Sequence, residues 1–277
     1  MKALIDVYTV FWADLRVLRR HLVRTIATSL INPLLYLLAF GYGLGRGISF
    51  EGYSYLDFVV PGIIALTAMT SSFNGSGSKL HVDRLFYKCF DEYLMAPVNV
   101  SSIVIGKTLI GVVRGIISSA ALLFAGLIIS PKIVASPTLP LFVLVLIISC
   151  FVFAFLGVLV ALLVKSHQDM NTFSTIILLP MTFLSGTFFS LEGLPETLKT
   201  ALYLLPLTHS SQCLRAAALN QFFPSESLLA LICFGALFFS GSVLALKKTS
   251  VLNMLSRCAR LLVALDKFKY RFKTHVF

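Results

Sequence analysis

Charge is scarce in this chain of 277 residues: Asp, Glu, Lys and Arg make up 13%, against 57% hydrophobic residues and a mean hydropathy of +0.90. A soluble domain carries about 25% charged residues, so a soluble fold is excluded. The five cysteines, Cys89, Cys150, Cys213, Cys233 and Cys258, are scattered with no C-x-x-C pair, which gives metal or redox chemistry no support. No Walker A loop, no G-x-S-x-G elbow and no H-E-x-x-H helix is present, so the chain lacks a nucleotide-hydrolysis site or a hydrolase nucleophile of its own. Any energy must come from a partner or an ion gradient. The N-terminus has no compact apolar core or small-residue cleavage site, and Asp6 and Asp14 interrupt it, so no cleaved signal is expected.

What the chain does have is apolar length. Six segments, near 22–45, 55–78, 102–129, 140–164, 172–190 and 226–246, can each cross a hydrocarbon core of about 30 Å at about 1.5 Å per residue. The fold class is an all-α polytopic membrane protein with six transmembrane helices. Basic residues then set the orientation. Of the 23, only Arg46, Lys132, Lys199 and Arg215 fall on one side, Arg114 lies inside the third segment, and the rest flank the other side. The positive-inside rule makes both termini cytoplasmic and predicts a multi-pass protein of a prokaryotic plasma (inner) membrane. The formal charge of +11 is thus a topology and lipid-headgroup feature, and no nucleic-acid partner is expected.

Residues 1–21 read as an amphipathic interfacial helix, with Leu4, Val7, Phe11, Leu15 and Leu18 on one face and Lys2, Asp6, Asp14, Arg16, Arg19 and Arg20 elsewhere. A flank of the first span reads equally well. Residues 22–247 form the six-span unit. Residues 248–277 form a basic amphipathic tail in which Leu252, Leu255, Ala259, Leu262 and Leu265 recur at helical spacing among Arg257, Arg260, Lys267, Lys269, Arg271 and Lys273. Gly41, Gly43, Gly45 and Gly47 break the end of the first span, either to admit a close helix or simply to end this one.

Three places carry the functional expectations. The first is the cytoplasmic loop 79–101. A helix from Arg84 to Pro97 puts Arg84, Lys88, Asp91 and Glu92 on one charged stripe, with Tyr93 among the apolar residues and Pro97 ending it. Such a helix suits docking onto a soluble partner, or lying on the lipid surface as a connector. The second is the outer segment 185–215, where Leu198, Ala201, Leu202 and Leu205 recur at helical spacing between Pro195 and Pro206. It reads as a half-amphipathic helix dipping into the membrane face, or as a packed surface loop. The third is Arg114, which shares a face with Lys107, Gly111 and Ser118. An ionisable residue at that depth either faces the protein interior or snorkels to headgroups. His167, Gln168 and Asp169, with His81 and Asp83, form only weak candidates for a metal or proton relay. No acidic residue besides Asp57 is expected to be buried within the spans.

These stretches resemble the membrane subunit of ABC-2 type exporters, the permeases of nodulation-factor, polysaccharide and drug export. The resemblance covers about residues 1–247. It is carried by Ser185-Gly186-Thr187-Phe188-Phe189, Leu194-Pro195, Pro206-Leu207-Thr208 and Leu214-Arg215 before the last span, by Glu92-Tyr93-Leu94-Met95-Ala96-Pro97 with Gly106-Lys107, and by Phe58-Val59-Val60-Pro61-Gly62. Ser190 departs from the pattern, since relatives often have Pro there. The resemblance implies six spans, an N-terminal interfacial helix and re-entrant outer helices between spans five and six. It implies two permeases, identical or homologous, joined to two ATP-binding cassette ATPase subunits. ATP and Mg are used by those partners, and this chain binds no cofactor and is no enzyme. Arg84, Lys88, Asp91, Glu92, Tyr93 and Pro97 become the ATPase-coupling residues. Gly186, Phe188, Phe189, Leu194, Pro195, Pro206 and Arg215 become the outer gate, and Arg114 an intramembrane polar site. The cargo class is an amphipathic lipid, a lipid-linked glycan or a hydrophobic drug. The alternatives from the residues alone are a gradient-driven carrier or channel, or a membrane-embedded lipid-modifying enzyme.

The orientation is directly testable. Cys placed at Glu196 is expected to react with a membrane-impermeant thiol reagent added outside the cell; labelling only after cell lysis would invert the topology.

Overall fold

In a computed structural model the chain is described at residues 2–44, 49–50, 53–87, 90–96, 98–129, 138–191 and 194–248. Among the described residues its regular structure is helical apart from a two-residue antiparallel ladder, Ser49–Phe50 against Tyr53–Ser54. Helix α1 is Lys2–Arg20; α2 is Leu22–Tyr36, continued by a π-helical stretch Leu37–Leu44. α3 is Tyr55–Leu85, α4 Phe90–Met95, α5 Val100–Ile129 and α6 Leu139–Leu163. α7 covers 167–184, α8 is Glu196–Tyr203, α9 Pro206–Leu219 and α10 Ser225–Lys248. The basic tail beyond Lys248, and Gly45 and Gly47, lie outside the described residues.

Five of these helices are long and apolar enough to cross a membrane: α2 over Leu22–Phe40, α3, α5 over Val100–Gly126, α6 and α10. The expected fifth span, 172–190, is the short one. Its helix opens on polar His167, Gln168, Asp169 and Asn171, and ends at Leu184 rather than at 190. His167–Asp169 are accounted for by capping: Asp169 accepts from the Ser166 amide at 3.0 Å, while Ser166 Oγ accepts from the Asp169 amide at 3.1 Å.

α3 is the central element. Nearly all of its first five turns is buried, against α5, α6, α9 and α2. α2 and α10 lie outside, with Val23, Ile31, Leu35, Leu38, Leu229, Leu237 and Leu244 exposed as a lipid-facing surface would be. Several polar side chains inside this apolar bundle donate to nearby carbonyls. Thr67, Ser76, Thr108 and Ser149 each donate to the carbonyl four residues back, and Ser76 also donates to Ala154 O at 2.8 Å.

Close approach in the middle of the bundle depends on missing side chains. α3 carries a π-helical turn, Asn74–Ser78, reading Asn-Gly-Ser-Gly-Ser. A Cβ on Gly77 would sit 2.7 Å from Gly157 O, and one on Gly157 would sit 2.6 Å from Phe73 O. α3 and α6 therefore touch backbone to backbone, the packing that small residues allow in membranes. On the other side of the same turn, a Cβ on Gly111 would meet Ser72 O at 2.7 Å. Gly157→Val is expected to cost about 1–3 kcal/mol of overpacking, seen as a lower thermal midpoint in detergent. Gly43→Ala, with nothing within 4 Å of its added Cβ, is expected to leave that midpoint unchanged.

Candidate functional site

The chemistry of the chain gathers at two ends of α3. At its C-terminal end four charged side chains meet. Lys107 Nζ on α5 donates to Asp14 Oδ2 on α1 at 2.7 Å and to Asp83 Oδ2 on α3 at 2.8 Å. Lys79 Nζ reaches Asp83 Oδ1 at 2.9 Å and lies 3.7 Å from Asp14 Oδ1. Lys107, Asp14 and Asp83 are buried, at 1%, 5% and 6% exposure, and the quartet is formally neutral. Charges removed from water this far require one another.

Local sequence explains how each arrives. Gly106 clears the way for α1: a Cβ there would sit 2.8 Å from Val10 Cβ. Val10 and Asp14, one turn apart, therefore form the buried edge of α1. The amphipathic pattern puts Asp14 off the apolar face of this helix, yet Asp14 is buried with Val10 while Leu4 of the apolar face is exposed. The face left exposed carries Leu4, Ile5, Tyr8 and Trp12. The expectation that no acidic residue besides Asp57 is buried among the spans is corrected too, since Asp83 is buried on α3. Asp57 accepts from the Ser54 amide in a capping box.

The loop helix sits over this cluster. α4 is anchored by Phe90, which is buried among Leu80, Ile103, Val104 and Leu162. The Tyr93 ring lies 5.1 Å from Lys107 Nζ, a cation–π distance. Burial pushes the Tyr93 phenol above its usual range. Glu92 is exposed. One continuous helix from Arg84 to Pro97 does not form: a turn and bend at Phe86 and Tyr87 separate α3 from α4. Arg84 thus belongs to α3, not to a stripe with Glu92. Its guanidinium donates to Ala161 O and Leu162 O, each at 2.8 Å, and to Val164 O at 3.3 Å, closing the C-terminus of α6. Asp91 lies on α4; Lys88 and Pro97 lie outside the described residues.

At the other end of α3 the segment after α7 folds back onto it. Gly186 turns with φ +70°, a left-handed conformation that favours glycine. Thr187 then crosses α3 so closely that a Cβ on Gly62 would lie 2.9 Å from its carbonyl oxygen. Arg215 on α9 locks the crossing. Its Nη2 donates to Gly186 O at 2.9 Å, its Nε to Phe58 O at 3.2 Å, and its guanidinium stacks 3.6 Å over the Phe58 ring. Tyr55 Oη donates to Phe188 O at 2.9 Å. Phe188 stacks on Phe40 at 4.3 Å and meets Tyr36 and Phe183 edge-on or tilted. Phe189 and Leu194 are half-buried. Pro195 caps α8, and Pro206 is the first residue of α9. α9 reads as polar, with Thr208, His209, Ser210 and Ser211, yet it is buried because each finds a partner. Thr208 donates to Leu202 O, Ser211 to Ser185 O, and the His209 Nε2–H to Tyr203 O at 2.8 Å. Burial pushes the His209 imidazole below its usual range.

Arg114 belongs to neither end. It lies two turns beyond Lys107 on α5, and its alkyl chain runs across Gly75 of the π-helical turn, where a Cβ would meet Arg114 Cδ at 3.1 Å. Its Nε is buried and has no hydrogen-bond partner among the described residues. No group of three metal-ligating side chains occurs among the described residues.

A multi-pass bundle with a charge-clasped loop helix and an arginine-locked fold-back fits a transport subunit, and residues 6–219 match the ABC-2 type transporter family. The chain belongs to that family. It is 29% identical over 200 residues, 72% of this chain and 77% of the relative, to the inner membrane transport permease YadH of Escherichia coli (strain K12). It is 26% identical over 205 residues, 73% of this chain and 77% of the relative, to nodulation protein J of Sinorhizobium fredii (strain NBRC 101917 / NGR234). Nodulation protein J of Rhizobium meliloti (strain 1021) matches at 26% over 200 residues, 71% of this chain and 75% of the relative. As an ABC-2 family member the chain is a membrane subunit of a transporter, not itself an enzyme. The sequence does not point to the Lys107 cluster as a unit, because its partners Asp14 and Asp83 lie on other helices.

Within this ABC-2 subunit Lys107→Met is expected to cost about 3–5 kcal/mol, because it leaves two buried carboxylates with only the partly exposed Lys79 as a partner. Lys79→Met, at a partly exposed position, is expected to cost less than about 1 kcal/mol. Thermal unfolding in detergent reads both, and equal losses would contradict the assignment of Lys107 as the hub.

Proposed function

We propose that the chain is the permease of an ATP-driven exporter, working as a pair of permeases with two ATP-binding cassette subunits in a prokaryotic inner membrane. The observation that carries this is α4: a short helix between two apolar helices, anchored by Phe90 and Tyr93, with Glu92 turned to solvent. The family match and the absence of a Walker A loop support an ATPase partner. The name of one relative, an inner membrane transport permease, supports transport across that membrane.

In this reading all six apolar helices span the bilayer, α7 with its short apolar part included, and both termini are cytoplasmic. The six-span unit is 22–247, α1 is an interfacial element, and the tail 248–277 lies on the inner leaflet. The 185–215 segment is a re-entrant outer gate, with Gly186, Phe188, Phe189, Leu194, Pro195, Pro206 and Arg215 forming it. Closure of the ATPase pair pushes α4. Through Tyr93 and Lys107 the push reaches α1, α3 and α5 together, since the quartet joins all three. Arg84 carries the same displacement to α6 through its carbonyl bonds. The cargo is amphipathic and passes along the seam between permeases. The carrier reading has no specific support, because the buried Asp14 and Asp83 are each paired with lysine.

Glu92→Arg is expected to abolish transport-coupled ATPase activity of the assembled complex while membrane insertion and thermal stability stay as in the wild type, since Glu92 is exposed. Undiminished coupling in that variant rules out α4 as the docking element.

A further inference from the structure

A cavity of about 440 Å³ opens beside the π-helical turn of α3, between α2, α5 and α7. This is within the range of about 300–1,000 Å³ typical of small-molecule sites. Its lining is unusual for the middle of apolar helices. It includes Arg114, Asn32, Asn74, Tyr36, Thr28 and Thr70, and no carboxylate. Polar groups inside a membrane are costly unless they serve a path or a ligand.

The hydrogen-bonding capacity of the lining is directional. Ser78 Oγ donates to Asn74 Oδ1 at 3.3 Å, both residues line the cavity, and the Asn74 amide NH₂ adds two donors to the lining. Thr28 and Thr70 spend their hydroxyl protons on the carbonyls of Arg24 and Leu66, so they present oxygen lone pairs. Arg114 brings the only formal charge, with its Nε unpartnered among the described residues. Gly75 is what lets its chain reach this position. A cation and amide donors beside hydroxyl acceptors match a headgroup that is anionic and itself bears hydroxyls. The helices carrying the lining expose Ile31, Leu35, Ile177 and Phe183, an apolar surround suited to acyl or polyprenyl tails.

We infer that this cavity is a binding site for the anionic, hydroxyl-bearing headgroup of an amphiphile, held by Arg114 with Asn32 and Asn74 while the tail stays in the bilayer. The inference rests on the transport reading for its purpose and specifies the cargo class of that reading. The guanidinium supplies a charge-assisted bond to a phosphate oxygen, and the threonine oxygens receive the headgroup hydroxyls.

The test needs neither ATP nor the partner subunits. The full-length chain is reconstituted in nanodiscs of equal phosphatidylglycerol and phosphatidylcholine with matched tails, and retained lipid is counted by native mass spectrometry. Wild type is expected to retain phosphatidylglycerol over phosphatidylcholine by roughly tenfold or more, as the loss of one charged hydrogen bond implies. Arg114→Gln is expected to return the ratio to near that supplied, and Asn74→Leu to reduce it severalfold with the charge intact. Removing one of 23 basic residues hardly changes attraction to lipids at the periphery, so a loss of this size reports the cavity. An unchanged ratio in both variants overturns the site, as does a wild-type ratio near one. Loss of the bound lipid to millimolar inorganic phosphate assigns the cavity to the free anion and overturns the lipid assignment. A negative result here leaves the exporter reading standing, and uncoupling by Glu92→Arg is read without reference to this cavity.

Discussion

The contact on which most of this structure depends is the pair of bonds from Lys107 Nζ, to Asp14 at 2.7 Å and to Asp83 at 2.8 Å. One buried ammonium ties α1 to α3 and α5, which already meet through Leu80, Ile103 and Val104. α1 has a weakly hydrophobic sequence and keeps Leu4, Tyr8 and Trp12 exposed; its purchase on the bundle is the Val10–Asp14 edge against Gly106 and Lys107. A buried ion cluster is poor as a source of net stability, because desolvation offsets the attraction. Its value is register. An apolar contact tolerates sliding by a fraction of a turn, whereas two bonds from one ammonium do not. The cluster thereby fixes how the three helices sit against one another at this end.

A second constraint is steric and lies one to two turns away. The Asn74–Ser78 turn brings Gly77 onto Gly157 and Gly75 beside Gly111 and Arg114. π-helical turns insert a residue into the ladder and re-aim the side chains around it. Here the turn does two things at once. It closes α3 on α6 without side chains between them, and it turns Asn74 and Ser78 toward the cavity that Arg114 also lines. Tight packing on one side and a polar opening on the other follow from the same five residues.

Much of this was legible in the sequence, and the divide is physical. Hydropathy locates the long helices, because burying or lipid-coating about 20 apolar residues is decided by the segment itself, but it misses that α3 runs on to Leu85 through polar residues. Pro195 and Pro206 mark true helix starts, since their fixed φ and missing amide act locally. The Lys107 cluster was illegible: Asp14 and Lys107 are 93 residues apart, and nothing in an amphipathic pattern says that a polar residue will face inward. Arg84 and Glu92 look like neighbours on one helix, but the chain turns at Phe86 and Tyr87, where no proline or glycine announces it. The polar run of α9 likewise reads as surface until its partners, Leu202 O, Tyr203 O and Ser185 O, are brought to it by the fold.

α3 connects the two ends. Tyr55 and Phe58 at its start hold Phe188 and Arg215; Lys79, Asp83 and Arg84 at its finish hold α1, α5 and α6. Between them it is buried on almost every face, so it cannot bend into lipid to absorb a displacement. The one place where its hydrogen-bond ladder is already irregular is Asn74–Ser78. In the proposed mechanism a push at the Lys107 end has two outlets: translation of the whole helix, which strains the Arg215 lock at the far end, or a change of pitch at the π-helical turn, which reshapes the Arg114 cavity. The glycines at 75 and 77 lower the cost of the second, because no Cβ has to be moved past Gly111 or Gly157. Under the proposed coupling, a displacement divides between a lock made of three carbonyl–guanidinium contacts and a turn made of five small or polar residues.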